Sequence, residues 1–249
     1  MNQTNDLSKR RTIRRYTDQP ISADTLNAII EDASHAPTTG NMQLYSVVVT
    51  RDPEMKKKLA PAHFGQPQVE GCDVLLTVCA DYNRFVKWCE QRQAKPGYDN
   101  LQSLLTATLD ATIFAQQIVT AAEQRGIGTC YLGTTTYNAP DIAKALELPK
   151  RVVPIATLSL GYPADEGQDC GRLPIEAVMH VEKYKDYTPE DIDRLYAEKE
   201  ARDDSHQFVT ENGKATLAQV FTDVRYTRSA NEAFSEVLRD FLKEQWPFE

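Results

Sequence analysis

The chain has 249 residues, with 28 Lys and Arg against 36 Asp and Glu, so its formal net charge is −8. A chain of this length can fold without a disulfide or metal staple, and its apolar runs fall far short of the ~20 residues of a membrane-spanning helix. The acidic balance argues against general nucleic-acid binding, because phosphate neutralisation needs a basic surface. Its 5 cysteines lack C-x-x-C spacing and no signal peptide is apparent, so we expect a reduced, cytoplasmic protein.

The first part of the chain alternates helix and strand patterns. Residues 22–36 carry an N-cap serine and helically spaced apolar side chains, which predict a helix ending before Pro37. Residues 44–50 and 73–80 are rich in β-branched and apolar side chains and predict two strands, the second buried on both faces. Between them, residues 53–60 predict a short charged helix that opens with a proline.

The strongest pattern is a run over residues 100–125 that is apolar around most of a helix circumference. Such a helix is central and buried, and at 1.5 Å per residue it spans about 40 Å. Gly126 is placed to end it in a left-handed cap. A strand over 129–132, a helix over 140–146 and a strand over 152–161 follow.

The composition changes after residue 174. Residues 189–204 predict a highly charged helix, residues 203–213 a polar loop, and residues 231–245 a helix with one apolar face. This tail has little core of its own, so we expect it to pack on the main body or on a second subunit. The chain as a whole predicts one domain of the α+β class.

The sequence does not match the common catalytic and cofactor-binding motifs. The segment 126–131 begins as a dinucleotide fingerprint, but Tyr131 occupies the third glycine position and the segment runs from helix to strand. P-loop and G-x-S-x-G patterns are missing, and no histidine pair has the i, i+4 spacing of a metal site. We therefore expect ordinary structural or surface roles for His35, His63, His180 and His206.

Three segments remain that suit a polar ligand. Residues 10–14 (Arg-Arg-Thr-Ile-Arg) offer guanidinium groups and a hydroxyl, which match a phosphate. Residues 37–43 form a short stretch rich in hydroxyls and amides, and residues 170–174 add an arginine in a tight turn. Each has an ordinary alternative, because a basic run can be a solvated face or a nucleic-acid arm and a Thr-Thr-Gly-Asn stretch can be a simple turn.

Together and in this order, the segments resemble the nitroreductase family of FMN-dependent oxidoreductases, and within it the NADPH-type oxygen-insensitive nitroreductases and flavin reductases. The resemblance covers about residues 8–182. It rests on ordered blocks: Arg-Arg-Thr-Ile-Arg-Arg-Tyr at 10–16, Ala-Pro-Thr-Thr-Gly-Asn-Met-Gln at 36–43, Gly-Gln at 65–66, the run 110–128, Tyr-Leu-Gly-Thr at 131–134, Leu-Gly-Tyr-Pro at 160–163 and Arg-Leu-Pro at 172–174.

The resemblance implies an α+β nitroreductase-like fold, with a mixed, mostly antiparallel sheet flanked by helices. The long helix would lie at the interface of a homodimer whose two FMN sites are shared between subunits. Residues 1–249 would form a single domain, with a core over about 8–185. Residues 186–249 would be a helical C-terminal extension packed on the core or on the partner.

The resemblance also implies which residues hold FMN. They are Arg10, Arg11, Thr12 and Arg14 at the phosphate and ribityl chain; Pro37, Thr38, Thr39, Asn41 and Gln43 from the partner subunit; Gln66, Tyr131, Leu132, Gly133 and Thr134 beside the ring; and Arg172 at the phosphate. Cys170 departs from the pattern, because it stands where relatives carry a lysine and so removes one positive charge from the phosphate site.

The activity implied is ping-pong transfer of a hydride from NADPH or NADH through flavin N5 to a nitroaromatic, a quinone or free flavin. No side chain need act as acid, base or nucleophile, and no metal is needed. Lys199 and Arg202 are candidates for the choice between NADPH and NADH. The alternatives are a specialised FMN enzyme for reductive dehalogenation or flavin cleavage, with residues 188–213 as its lid; a non-enzymatic FMN carrier; and a nucleic-acid module using residues 9–15.

Overall fold

A four-stranded antiparallel sheet forms the centre of the larger part of the computed structural model, which describes residues 7–97 and 99–246. Its strands, in the spatial order β1-β2-β4-β3, are β1 (Tyr45–Thr50), β2 (Val74–Asp81), β3 (Gly128–Leu132) and β4 (Val152–Gly161). All neighbouring strands are antiparallel. Every residue of β2 is buried, as its mostly apolar sequence predicts.

The helices flank and follow this sheet. They are α1 (Ala23–Ser34), α2 (Pro53–Leu59), α3 (Pro67–Gly71), α4 (Asn83–Gln91), α5 (Leu101–Glu123), α6 (Ala139–Ala145), α7 (Pro189–Glu200), α8 (Asp203–Glu211), α9 (Leu217–Val220) and α10 (Arg228–Gln245). The observed elements confirm the expected α+β class with an antiparallel sheet. Within the described residues, every helix is too short or too polar to cross a lipid bilayer.

The chain divides into two compact units. The sheet unit comprises Met1–Gln168 with Phe234–Glu249, and the helical unit comprises Asp169–Ala233. The expected single domain, with a core that extends to about residue 185, stays a prediction.

Helix α5 supplies much of the core of the sheet unit. Phe114 is 1% exposed and stacks on Tyr45 of β1, with ring centroids 4.1 Å apart. The helix ends at Glu123, and Gly126 closes it with the predicted left-handed conformation, since its φ is 72° and its N–H donates to the carbonyl of Glu123. The opposite face of α5 differs, because it carries an exposed apolar row: Leu101, Leu105, Leu109 and Ile113.

The prediction of a loop over residues 203–213 is wrong, because most of that segment is helix α8. Asp203 and Asp204 lie in its first turn, where carboxylates favour the positive end of the helix dipole. The guanidinium of Arg225 lies over the ring of Phe208 in α8, 4.2 Å from the ring centroid. The high polarity of α8 concealed its short apolar face. Residues 188–213, considered above as a lid, thus form α7 and α8 with the turn between them.

The end of α10 packs into the sheet unit. Trp246 is fully buried beside Tyr82, and its indole N–H donates to the hydroxyl of Ser103 at 3.3 Å. The side-chain amide of Gln245 donates to the carbonyls of Pro149 and Val152 at 2.6 and 2.8 Å. These contacts fix Gln245 and Trp246 against the start of α5 and of β4.

Candidate functional site

The basic N-terminal segment lies against one edge of the sheet. The N–H of Ile13 donates to the carbonyl of Thr129 in β3 at 3.0 Å. Two glycines permit this close approach: a Cβ at Gly128 would lie 2.7 Å from the side chain of Ile13, and one at Gly161 would lie 2.7 Å from the ring of Tyr16. Larger residues at these positions would force the segment away from the sheet.

Arg10 and Thr12 meet near the end of α5. The Nη2 of Arg10 donates to the hydroxyl of Thr12 at 3.3 Å, and its Nη1 lies 3.4 Å from a carboxylate oxygen of Glu123. The hydroxyl of Thr129 donates to the same Glu123 oxygen at 3.2 Å. A cavity of about 330 Å³ opens here, and Arg11 also lines it. The charge of Arg10 is therefore partly offset by Glu123.

Arg14 and Arg15 differ although they are adjacent. Arg15 is tied to Asp165, with its Nε 2.6 Å from a carboxylate oxygen. Arg14 is exposed and lies near the thiol of Cys130. Within the part of the chain that the structure describes, Arg14 forms no ion pair with a carboxylate. It is therefore the arginine of this segment best able to meet an anion.

Gln66 lies on the same side of the sheet unit. The amide of Gln68 donates to the side-chain oxygen of Gln66 at 2.8 Å and approaches the sulfur of Cys130 at 3.9 Å. Burial raises the pKa of the Cys130 thiol, and the neighbouring Arg14 opposes that shift. Cys130 thus links Arg14 to the two glutamines, so the structure brings together two of the predicted groups.

His63 connects the glutamine segment to the end of β3. It is fully buried, and its Nδ1 lies 2.8 Å from the hydroxyl oxygen of Thr134. Its Nε2 has no partner among the described residues. Burial lowers the pKa of His63 to about 4, so the ring is neutral near pH 7. The expectation of an ordinary role for His63 overlooked this contact with a predicted site residue.

The loop at 37–43 is held by helix α5 rather than by the N-terminal segment. The buried carboxylate of Asp110 accepts the N–H of Thr39 at 2.9 Å and that of Leu44 at 3.2 Å. Arg84 donates to the carbonyl of Gln43. The backbone passes through left-handed conformations at residues 40, 41 and 43, so these contacts hold a strained turn in place.

The structure separates the predicted site residues of the sheet unit into two groups. Asp110 holds the loop at one place on α5, and Glu123 contacts Arg10 thirteen residues further along the same helix. At 1.5 Å per residue the two points are about 20 Å apart. Pro37, Thr38, Thr39, Asn41 and Gln43 are therefore not joined, within one chain, to Arg10 and its neighbours.

Arg172 belongs to the helical unit. It is exposed, and its guanidinium donates to the carbonyl of Gly171. A cavity of about 310 Å³ in this unit is lined by Cys170, Arg172, Lys199 and Arg202 among others. Arg202 pairs with Asp204 at 3.0 Å. The role of Arg172 at a phosphate stays a prediction.

Residues 7–162 match the sequence model of the Nitroreductase family. The chain belongs to this family. It is 39% identical over 180 residues to an FMN reductase (NAD(P)H) of Bacillus subtilis, a match that covers 72% of each chain. It is 32% identical over 179 residues to the oxygen-insensitive NADPH nitroreductase of Salmonella typhimurium, covering 72% of this chain and 73% of that one.

A solved structure from Bacteroides fragilis NCTC 9343 has the same fold over nearly the whole length. The two chains are 52% identical, with a TM-score of 0.96, and the match covers 98% of this chain and 99% of the other. The nitroreductase-like fold expected from the sequence blocks is thereby confirmed. The match to this structure includes the helical unit, most of which lies beyond the last of the sequence blocks at residues 172–174.

Sequence reasoning missed several residues that position this nitroreductase-family site. Asp110 and His63 are the clearest, because both are polar groups buried at 1% and 0% exposure. A carboxylate inside the long apolar run of α5 was an available signal, since a buried carboxylate needs donors. His63 gave no such signal, because only the fold brings it to Thr134, 71 residues away.

We predict that Asp110→Ala lowers the free energy of unfolding by roughly 2–4 kcal/mol, because it leaves two backbone N–H groups without an acceptor. Hydrogen exchange at the amide of Leu44 should rise as the loop loosens. Asp110→Asn keeps one acceptor oxygen and should have a smaller effect on both measurements. If Asp110→Ala unfolds at the same urea concentration as the wild type, contacts other than those of Asp110 hold the loop.

We predict that His63 makes the protein less stable as the pH falls. The unfolded histidine takes up a proton near its ordinary pKa of 6.5, whereas the folded one does so only near 4, so stability is lost between these pH values. Compared with His63→Leu, the wild type should lose roughly 2–4 kcal/mol more across this window in urea titrations. Parallel pH curves would contradict the assignment, and His35→Gln controls for removal of a histidine.

Proposed function

We propose that the protein is an FMN-dependent NAD(P)H oxidoreductase of the nitroreductase and flavin reductase type. The observation that carries the proposal is the exposed Arg14, which lacks a carboxylate partner among the described residues and lies near Cys130, whose sulfur the amide of Gln68 approaches. The relatives support it, since one is named an FMN reductase and another an NADPH nitroreductase.

The side chains of the sheet edge fit the chemistry of a flavin phosphate. Arg10 and Arg14 supply charge, and the hydroxyl of Thr12 adds a donor or an acceptor. Gln66 and the segment 131–134 add polar groups suited to a heteroaromatic edge. Arg172 and Arg11 complete the proposed phosphate contacts, while Cys170 contributes no positive charge there.

When bound, FMN would accept a hydride from NADPH or NADH and pass the electrons to a nitroaromatic, a quinone or free flavin. The residues of this chain would bind and orient it. Arg14 would hold the phosphate, and Gln66 with residues 131–134 would set the polarity beside the ring. No side chain of the site is required as an acid, a base or a nucleophile.

We further propose a homodimer in which each FMN site is shared. Residues 37–43 and the Arg10 group are about 20 Å apart along α5, a separation that a two-fold related copy can bridge. The exposed row Leu101, Leu105, Leu109 and Ile113 gives α5 the apolar surface that such an interface buries. The five cysteines, all within the described residues, form no disulfide, which suits a reducing compartment, and we place the protein in the cytoplasm.

The proposed function is tested with the purified protein and added FMN. Tight binding should quench flavin fluorescence, and anaerobic NADPH or NADH should then bleach the flavin absorbance bands. A nitroaromatic or quinone should restore them. Bound flavin that neither nucleotide bleaches would indicate a carrier, and a protein that does not bind FMN would refute the proposal.

We predict that Arg14→Ala weakens FMN binding by roughly 10- to 100-fold, because a hydrogen bond from a charged group contributes about 1.5–3 kcal/mol. Arg15→Ala is the matched control, since Arg15 is already paired with Asp165. Fluorescence titration measures both affinities, and circular dichroism checks the fold. If the two variants bind FMN with equal affinity, Arg14 does not contact the phosphate.

We predict that Leu105→Glu shifts the protein from dimer to monomer, because the substitution would bury an unpaired charge at the interface. Val237→Glu is the control, since Val237 is similarly exposed but lies on α10. Light scattering after gel filtration gives the mass of each variant. A dimer of unchanged stability for Leu105→Glu would place the interface elsewhere.

A further inference from the structure

His63 combines complete burial with incomplete hydrogen bonding. Its side chain is 0% exposed, its Nδ1 contacts the hydroxyl of Thr134, and its Nε2 has no partner among the described residues. A buried polar atom without a partner is destabilising, and such atoms are rare in folded proteins. An apolar side chain at this position would avoid the cost, so stability alone does not account for a histidine.

The hydrogen bond from His63 joins two segments that the sequence assigns to the ring side of FMN. On one side, the carbonyl of His63 accepts the N–H of Gln66 at 3.1 Å, so the histidine and the glutamine share one turn. On the other side, Thr134 ends the segment that follows β3. The bond therefore sets the distance between Gln66 and residues 131–134.

The environment of this bond makes it strong and specific. Thr134 is 7% exposed, so water competes little for its hydroxyl. The other contacts of the histidine's turn are also internal: the side chain of Asn138 donates to the carbonyl of Ala62 at 2.7 Å. The imidazole spans the space between the two segments.

We propose that His63 is a positioning residue for FMN, which acts through Thr134 to hold residues 131–134 in register with Gln66. The proposal rests on the proposed function, because it assigns a role toward the flavin of that site. It predicts that breaking the bond from either end changes the electron affinity of bound flavin. It also predicts that this change is separate from any loss of stability.

The test compares five variants by the midpoint potential of bound FMN, its dissociation constant and the melting temperature of the protein. Thr134→Val and His63→Leu each break the bond from one end. The double variant removes both polar groups, so it leaves neither unpaired and keeps a fold even where His63→Leu alone does not. Thr134→Ser retains the hydroxyl. Thr135→Val is the matched control, because Thr135 is also buried but its hydroxyl donates to the carbonyl of Leu132.

We expect the midpoint potential to shift by the same amount in Thr134→Val, His63→Leu and the double variant, with FMN binding weaker by roughly five- to tenfold. The melting temperature of the double variant should equal or exceed that of the wild type. Thr134→Ser should restore the wild-type potential, and Thr135→Val should leave it unchanged.

Three results would overturn the proposal. A potential that stays at the wild-type value in His63→Leu or in the double variant would leave the bond with a structural role only. A shift in Thr134→Val without one in His63→Leu would make Thr134 act alone. A wild-type protein that binds no FMN would refute the proposed function as well, whereas the first two results leave that function intact.

Discussion

The packing of helix α5 is the constraint on which the candidate site depends. One face of the helix is committed to the core through Phe114 and its neighbours, so its rotation about its own axis is fixed. That fixed rotation decides where its two polar contacts lie. Asp110 then meets the backbone of the 37–43 loop, and Glu123 meets Arg10. The same rotation turns Leu105 and Leu109 outward.

Most of the fold was predictable from local patterns, since burial and periodicity leave clear signatures. The mostly apolar sequence of β2 and the long apolar run of α5 each predicted one observed element. The prediction was wrong at α8, where a short amphipathic helix stabilised by charge has the composition of a loop. Helix α4 was missed for the same reason, because only Val86 and Cys89 of its nine residues are buried.

The site was predictable in its residue types but not in its arrangement. Arginines, hydroxyls and amides in fixed order point to a ligand with a phosphate and a heteroaromatic ring. The sequence does not reveal that Arg15 is neutralised by Asp165, 150 residues away, while its neighbour Arg14 is not. Nor does it reveal the contact between His63 and Thr134. Long-range partners determine which member of a motif is available to a ligand.

The route of the chain through its two units has a consequence for biosynthesis. The sheet unit is discontinuous in sequence, because residues 169–233 separate its main part from the segment that carries Trp246. The hydrogen bond from Trp246 to Ser103 spans 143 residues. On the ribosome, the core beside Tyr82 and Leu104 stays open until Trp246 has been added and has left the exit tunnel. The sheet unit therefore completes its folding only after the whole helical unit has been synthesised, and until then its unfilled core is open to chaperones.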